Sequence, residues 1–339
     1  MSLIIPIFIS QRGCPCHCLF CDQRVIAGLT DNAAPDVAAE IETWLGRSRQ
    51  GSRECLPKNP TQVAFYGGSF TCLPWEEQEK LLAQAKPYLE DDRIASIRLS
   101  TRPDCCAAAD LTRLRPWGVT TIELGVQSMD ERVLTLARRG HTAADSRRAI
   151  ATIKELGFTC GVQLLPGLPG ETWSSFLATV KEIIALGPAM VRLYPALVLA
   201  GSGLADWYVA GRYRPLSLSK TIAWLARAKR LFDAAGIPVI RYGLPPSREL
   251  ARATVAGPYH PALGEMVAQR LWFRELRLRL SALTAGQRLT IFISPRDLSQ
   301  LSGQRRGNLI RLEQLGLSQR LNIVAEPLRL KGSVEYAVD

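Results

Sequence analysis

Short apolar runs alternate with helical patterns from the N-terminus to about Pro195. The runs Ile4–Ser10, Val63–Tyr66, Ile94–Ser100, Thr120–Gln127, Thr159–Leu165 and Val191–Pro195 are mostly β-branched or fully apolar. That is the pattern of parallel strands buried on both faces. The intervening stretches, such as Pro74–Leu89 and Thr172–Leu186, predict helices; the second carries apolar residues at helical spacing. Six strand–helix units predict an α/β fold, a partial (β/α)6 barrel. In such folds ligands bind at the carboxyl ends of the strands, and every chemically suggestive segment here follows a strand. Beyond Tyr194 the rhythm breaks. A glycine-punctuated loop leads to a helix over Leu218–Ala235, a strand over Ile237–Arg241, a Pro245-Pro246 turn and a basic amphipathic helix over Pro261–Leu280. Strand Leu289–Ser294, helix Pro295–Leu315 and strands Arg320–Ala325 and Ser333–Ala337 form a small α/β element. We expect a barrel over residues 1–245 and a helical and small α/β extension over 246–339.

At 47% hydrophobic, the 339 residues suffice for a large core. The start, MSLIIPIFIS, is short and lacks a basic n-region, so it reads as a buried strand rather than a signal peptide. No apolar run reaches the ~18 residues that span a bilayer, so no membrane partner is expected. All nine cysteines lie at or before Cys160, and four crowd into positions 14–21. That layout suits a metal better than a disulfide scaffold and predicts a reducing cytoplasm. Cys55, Cys72, Cys105, Cys106 and Cys160 lack metal-ligand spacing and are expected as small buried hydrophobes. The net charge of +11, carried mainly by arginine, suits either phosphate binding or a solvated basic surface.

In Gly13-Cys14-Pro15-Cys16-His17-Cys18-Leu19-Phe20-Cys21 the spacing C-x3-C-x2-C picks out Cys14, Cys18 and Cys21. Three thiolates leave one iron of a [4Fe–4S] cluster open, able to chelate the amino and carboxylate groups of S-adenosylmethionine (SAM). One electron then breaks a carbon–sulfur bond and releases a 5′-deoxyadenosyl radical, the cofactors carrying the chemistry. Phe20 lies between two ligands, where it would shield the cluster or pack beside adenine. The competing reading uses Cys14, Cys16, Cys18 and Cys21 for tetrahedral zinc, although the run is tight for wrapping one ion. With a cluster, Cys16 is spare and His17 is a loop residue.

Several ordered segments resemble the radical SAM superfamily, and specifically the radical domain of the Elongator catalytic subunit, over about residues 4–270. They include Gly13–Gln23, Tyr66-Gly67-Gly68-Ser69-Phe70-Thr71, Ser100-Thr101-Arg102-Pro103-Asp104, Glu123–Ser128, Arg139-Gly140-His141-Thr142, Pro166–Gly170 and Gly257–Pro261. The resemblance implies a radical SAM barrel with a [4Fe–4S] cluster and SAM as cofactors. It implies that Gly67 and Gly68 receive the SAM amino group beside Ser69, which stands where many members have Glu. Thr101 and Arg102 follow the third strand; Arg102 either neutralises a carboxylate or pairs with Asp104. By similarity to oxygen-independent coproporphyrinogen oxidases, Gln127 and Arg139, the latter on the following helix, contact the SAM ribose and carboxylate. Gln163 is placed to hydrogen-bond the ribose, and Leu165–Pro169 to wall the adenine. Glu123 and Tyr194, pointing toward the strand ends, are the catalytic candidates. Nothing after about residue 285 resembles Elongator's acetyltransferase domain, so acetyl delivery by such a domain is not expected.

The leading expectation is radical modification of RNA, a tRNA base in particular, with flavodoxin or ferredoxin as electron donor. Arg270, Arg274, Arg277 and Arg279 on one helix, with Arg305, Arg306 and Arg311 in the tail, would position phosphates. The alternatives are a radical SAM enzyme for a small molecule or tetrapyrrole, and a non-catalytic iron–sulfur or zinc protein that binds RNA.

Overall fold

The computed structural model describes residues 3–9, 12–22, 35–51 and 61–339. Gln23 and Cys55 lie outside the described residues, as does Ser10 at the end of the first predicted strand. The chain divides into two compact units, residues 1–217 with 230–259, and residues 218–229 with 260–339.

In the first unit the strands in chain order are β1 (Ile4–Phe8), β2 (Gln62–Tyr66), β3 (Ser96–Thr101), β4 (Val119–Gln127), β5 (Thr159–Leu164), β6 (Met190–Leu193), the short β7 (Val198–Leu199), β8 (Val239–Tyr242) and β9 (Thr254–Ala256). One seven-stranded parallel sheet runs β1-β2-β3-β4-β5-β6-β8, with β1 and β8 as its open ends. This is the partial barrel expected from the alternation, with β8 added as a seventh strand. Crossovers run through helices such as Trp75–Glu90, Ala143–Glu155 and Trp173–Leu186. The last two begin with reciprocal capping boxes, Thr142 with Asp145 and Thr172 with Ser175, which satisfy amide groups the first turn would leave orphaned. The β1 side chains alternate: Ile5 and Ile7 are fully buried, while Ile4, Pro6 and Phe8 face the barrel interior.

In the second unit β10 (Leu289–Ile293) pairs in parallel with β11 (Leu321–Ala325) and antiparallel with β12 (Val334–Val338). The predicted helix Pro295–Leu315 is broken into short pieces, Leu298–Ser302 and Gly307–Gln314 being α-helical. Gly303, Arg305 and Arg306 all have positive φ, which a continuous right-handed helix cannot hold. Leu276, Leu280, Leu289, Ile291, Ile293, Leu301 and Leu312 form this unit's core. Among the described residues, no helix is long and apolar enough to cross a membrane.

Candidate functional site

The barrel interior opens into a cavity of about 620 Å³. Cys14, Cys18 and Cys21 line it from the loop after β1, together with Cys16 and His17. The backbone holds this loop down at several points. Leu19 N–H donates to the Ala137 carbonyl at 3.0 Å, Leu204 N–H donates to the Leu19 carbonyl at 2.7 Å, and Ser69 N–H donates to the Arg12 carbonyl at 3.0 Å. The Leu19 side chain is buried among Val198, Leu204 and Tyr213. An apolar residue between two cysteines is the sequence signal for such an anchor. Cys14 Sγ shares a hydrogen bond with Ser69 Oγ at 3.3 Å, and Arg139 Nη1 donates to Cys18 Sγ at 3.0 Å. Burial pushes the Cys14 thiol up, against the lowering effects of the Ser69 bond and of Arg102 and Arg139.

Gly67, Gly68, Ser69, Thr101, Arg102, Gln127, Arg139, Gln163, Leu165 and Phe20 all line the same cavity. Gln127 ends β4 with φ 68, where the β4–β5 register shifts. A non-glycine residue in the left-handed region is costly and marks a place where the backbone is held for another purpose. Its side-chain amide approaches Gly125 so closely that a Cβ there would lie 2.9 Å from Nε2. Arg139 Nη2 donates to the Gly125 carbonyl at 2.7 Å. Arg102 grips Asp104 through two bonds of 2.9 Å, the loop-fixing pair of the two alternatives. Even so, Arg102 Nη1, Arg139 Nε and Gln127 Oε1 are buried with no hydrogen-bond partner among the described residues.

Several expectations need correction. Glu123 does not point to the strand ends. It lies mid-strand, 1% exposed, and is absent from the cavity wall. Its carboxylate binds Arg98 Nη1 at 2.8 Å and Arg192 Nε at 2.6 Å, and receives the Tyr66 hydroxyl and Gln163 Nε2. Burial alone would raise its pKa, but Arg192 and Arg98 hold it below the usual carboxylate range. This is a structural ion network spanning five strands. Gln163 therefore spends its amide hydrogens on Glu123 and Ser100, leaving its carbonyl oxygen for the cavity. Arg139 is not on a helix: Arg138 and Gly140 flank it at φ 53 and 75, ending the helix Glu131–Leu136. Arg138 is exposed, which separates it from the buried Arg139. Of Leu165–Pro169 only Leu165 reaches the cavity; Leu168 packs with Val133 and Ala137. A Cβ on Gly68 would meet the carbonyls of Arg12 and Ile9 at 2.5 and 2.7 Å. The glycine requirement there comes from the cluster loop rather than from room for a ligand. Finally, Cys72 and Cys105 are not separate buried thiols but form a disulfide. The short turns after β2 and β3 sit side by side, a proximity that 33 residues of sequence separation conceal. Cys106 and Cys160 are buried free thiols, as expected.

Tyr194 does sit at the end of β6 in the cavity wall, its hydroxyl accepting from Arg192 Nη1 at 3.3 Å. Sequence reasoning passed over Arg98, Arg192 and Arg241. A charged residue inside each of three parallel strands, SIRLST, MVRL and VIRY, the first two of them buried, is the available signal.

The donor set fits an iron–sulfur cluster. Four thiols on one short loop face the cavity, among them the three at the C-x3-C-x2-C spacing, with two buried guanidiniums beside them. Among the described residues no three Cys, His, Asp or Glu side chains converge as they would on a single ion. A cubane does not require convergence, because its thiolates bind separate irons.

The sequence profile of the radical SAM superfamily matches residues 8–183, and that of the radical SAM C-terminal domain matches residues 188–272. A tRNA uridine(34) acetyltransferase of Methanocaldococcus infernus is 30% identical over 81% of this chain and 57% of its own length. Elongator complex protein 3 of Mus musculus is 30% identical over 48% of this chain and 33% of its own length. This chain thus spans between a third and somewhat over half of these curated relatives. The solved structure of Methanocaldococcus infernus Elp3 with an N-terminal deletion superposes with a TM-score of 0.63 at 22% identity, covering 81% of this chain and 63% of that one; the fold is shared. With the first profile covering more than half of its residues, the chain belongs to the radical SAM superfamily and is an enzyme whose cofactors are a [4Fe–4S] cluster and SAM.

Proposed function

We propose that this enzyme modifies an RNA, a tRNA base in particular, by radical chemistry begun at a cluster held by Cys14, Cys18 and Cys21. The observation that carries the reading is the cavity joining those thiols to buried polar atoms that have no partner among the described residues. The curated relatives named for tRNA uridine(34) supply the substrate class. When bound and reduced by a donor such as flavodoxin or ferredoxin, the cluster supplies the electron that breaks a carbon–sulfur bond of SAM. Arg139 and Arg102 offset the thiolate charge and give the SAM carboxylate a cation. Gln127 Oε1 accepts from the ribose, and the carbonyl edge of Gly67-Gly68 accepts from the amino group. Phe20 and Leu165 form an apolar adenine wall, and Ser69 steadies Cys14. Tyr194 is the remaining catalytic candidate.

On the second unit, Arg270, Arg274 and Arg277 fall on one exposed face of the helix Leu263–Ser281, at helical spacing. Arg305 and Arg306 are exposed as well. Arg279 is tied to Glu275 and stacked on Tyr336, and Arg311 is stacked on Phe273, so these two are better placed to stiffen the unit than to grip phosphate. Nucleoside mass spectrometry of total tRNA from a deletion strain tests the reading. A modified nucleoside should disappear and return on complementation; an unchanged nucleoside profile refutes an RNA substrate.

A further inference from the structure

Neither cofactor accounts for the charge at the barrel floor. Among the described residues four arginines line the cavity, Arg102, Arg139, Arg192 and Arg241, and no aspartate or glutamate does. The first two stand beside the cysteine loop. The other two are direct neighbours in the β6–β8 register, Arg192 opposite Arg241, so both project from one face of strands about 4.8 Å apart. Like charges at that separation repel, and the repulsion grows as water is excluded. Glu123 does not relieve it, because one carboxylate is already shared between Arg98 and Arg192. Arg241 has only the Gly243 carbonyl, 3.3 Å from its Nε, and no carboxylate at ion-pair distance among the described residues. Two guanidiniums therefore share one carboxylate, and among the described residues the third, Arg241, has none.

The surroundings favour a small ligand over a loose counterion. Tyr194 accepts from Arg192, and burial keeps its phenol protonated, so its O–H is left to donate. Ile4, Phe8 and Leu244 give the same cavity an apolar wall. We propose that Arg241, with Arg192 and Tyr194, forms a subsite for a small oxyanion, the carboxylate or phosphate group of a second small-molecule substrate that shares the chamber with SAM. The inference rests on this cavity being the reaction chamber proposed above, but its test needs no RNA. An RNA that goes unmodified would leave the result standing.

The test uses the full chain with reconstituted cluster, saturated with SAM so that the methionyl carboxylate is already placed. Thermal melts are recorded against sodium acetate and against inorganic phosphate, each compared with sodium chloride at matched ionic strength. Wild type should gain Tm saturably with one or both anions, since a ligand bound only by the folded state stabilises it. Acetate alone assigns a carboxylate group and phosphate alone a phosphate group. Arg241→Gln should weaken the apparent Kd about tenfold or more, the scale of a lost charge-assisted bond. In chloride it should melt above wild type, because the repulsion is gone. Tyr194→Phe, which leaves the ion network in place, should weaken the Kd severalfold and serves if Arg241→Gln does not fold. Equal anion stabilisation in wild type and in both variants overturns the proposal. So does its loss in the exposed control Arg270→Gln/Arg277→Gln, which would mean nonspecific surface binding.

Discussion

Glu171 makes stability fall as pH rises, and the size of the effect can be worked from its surroundings. It follows the Pro166–Gly170 turn, whose first neighbour Leu165 forms part of the cavity wall. The Gly167 N–H donates to Oε2 at 2.6 Å, while Oε1 is buried with no partner among the described residues. Burial first, and then the charge of Asp130, push the carboxyl up to about 8 from an ordinary 4.5, against the lowering effect of the Gly167 bond. The folded protein therefore keeps this proton until about pH 8, while the unfolded chain loses it near 4.5. Stability from this group is full below pH 4.5 and is lost progressively up to about pH 8. The whole gap corresponds to about 5 kcal/mol at 1.4 kcal/mol per pH unit. Because the side chain keeps some exposed surface, we expect roughly 2–4 kcal/mol between pH 5 and pH 8. Glu171→Gln keeps an acceptor for Gly167 and removes the titration. Urea unfolding followed by circular dichroism at several pH values should show the wild-type and Glu171→Gln stabilities diverging with pH, the variant becoming relatively more stable toward pH 8. Curves that stay parallel from pH 5 to 8 would refute the reasoning.

Anaerobic reconstitution should load about four irons and yield 5′-deoxyadenosine from SAM and a strong reductant. Cys14→Ala, Cys18→Ala and Cys21→Ala should each abolish both, whereas Cys16→Ala should retain them; iron analysis decides, and loss in Cys16→Ala would reassign the ligands. Gly68→Ala should lower iron content, because its Cβ strikes the backbone of the cysteine loop; normal iron with weakened SAM binding would place the constraint in the ligand space instead. Arg139→Ala should weaken SAM binding by about 1.5–3 kcal/mol, the scale of a hydrogen bond to a charged group, as read by isothermal titration. Replacing Arg277 or Arg305 with Ala should weaken many RNAs about equally and flatten the log–log salt slope by about 0.7–0.9 for each phosphate no longer neutralised. A slope untouched by Arg270, Arg277, Arg305 and Arg306 substituted together would remove this face from the RNA reading.

The strand–helix alternation and the cysteine spacing needed no coordinates. Buried parallel strands are rich in apolar and β-branched residues, so β1 to β6 are legible as runs despite the polar residues inside them, and a cluster loop needs its thiols close in sequence. The backbone positions Gly67, Gly68 and Gln127 were also visible, because each sits where a strand must end. What remained hidden depends on the direction a side chain takes. Glu123 and Gln127 lie four residues apart on one strand, yet one is locked in an ion network and the other lines the cavity. Arg98 and Arg192 look like isolated charges until the sheet brings them to a single carboxylate. Cys72 and Cys105, and the opposed pair Arg192 and Arg241, meet only because adjacent parallel strands place the ends of distant segments side by side. Local patterning decides which residues form a strand. Which residues face one another across the sheet is set by strand order and register, and those exist only once the sheet has assembled.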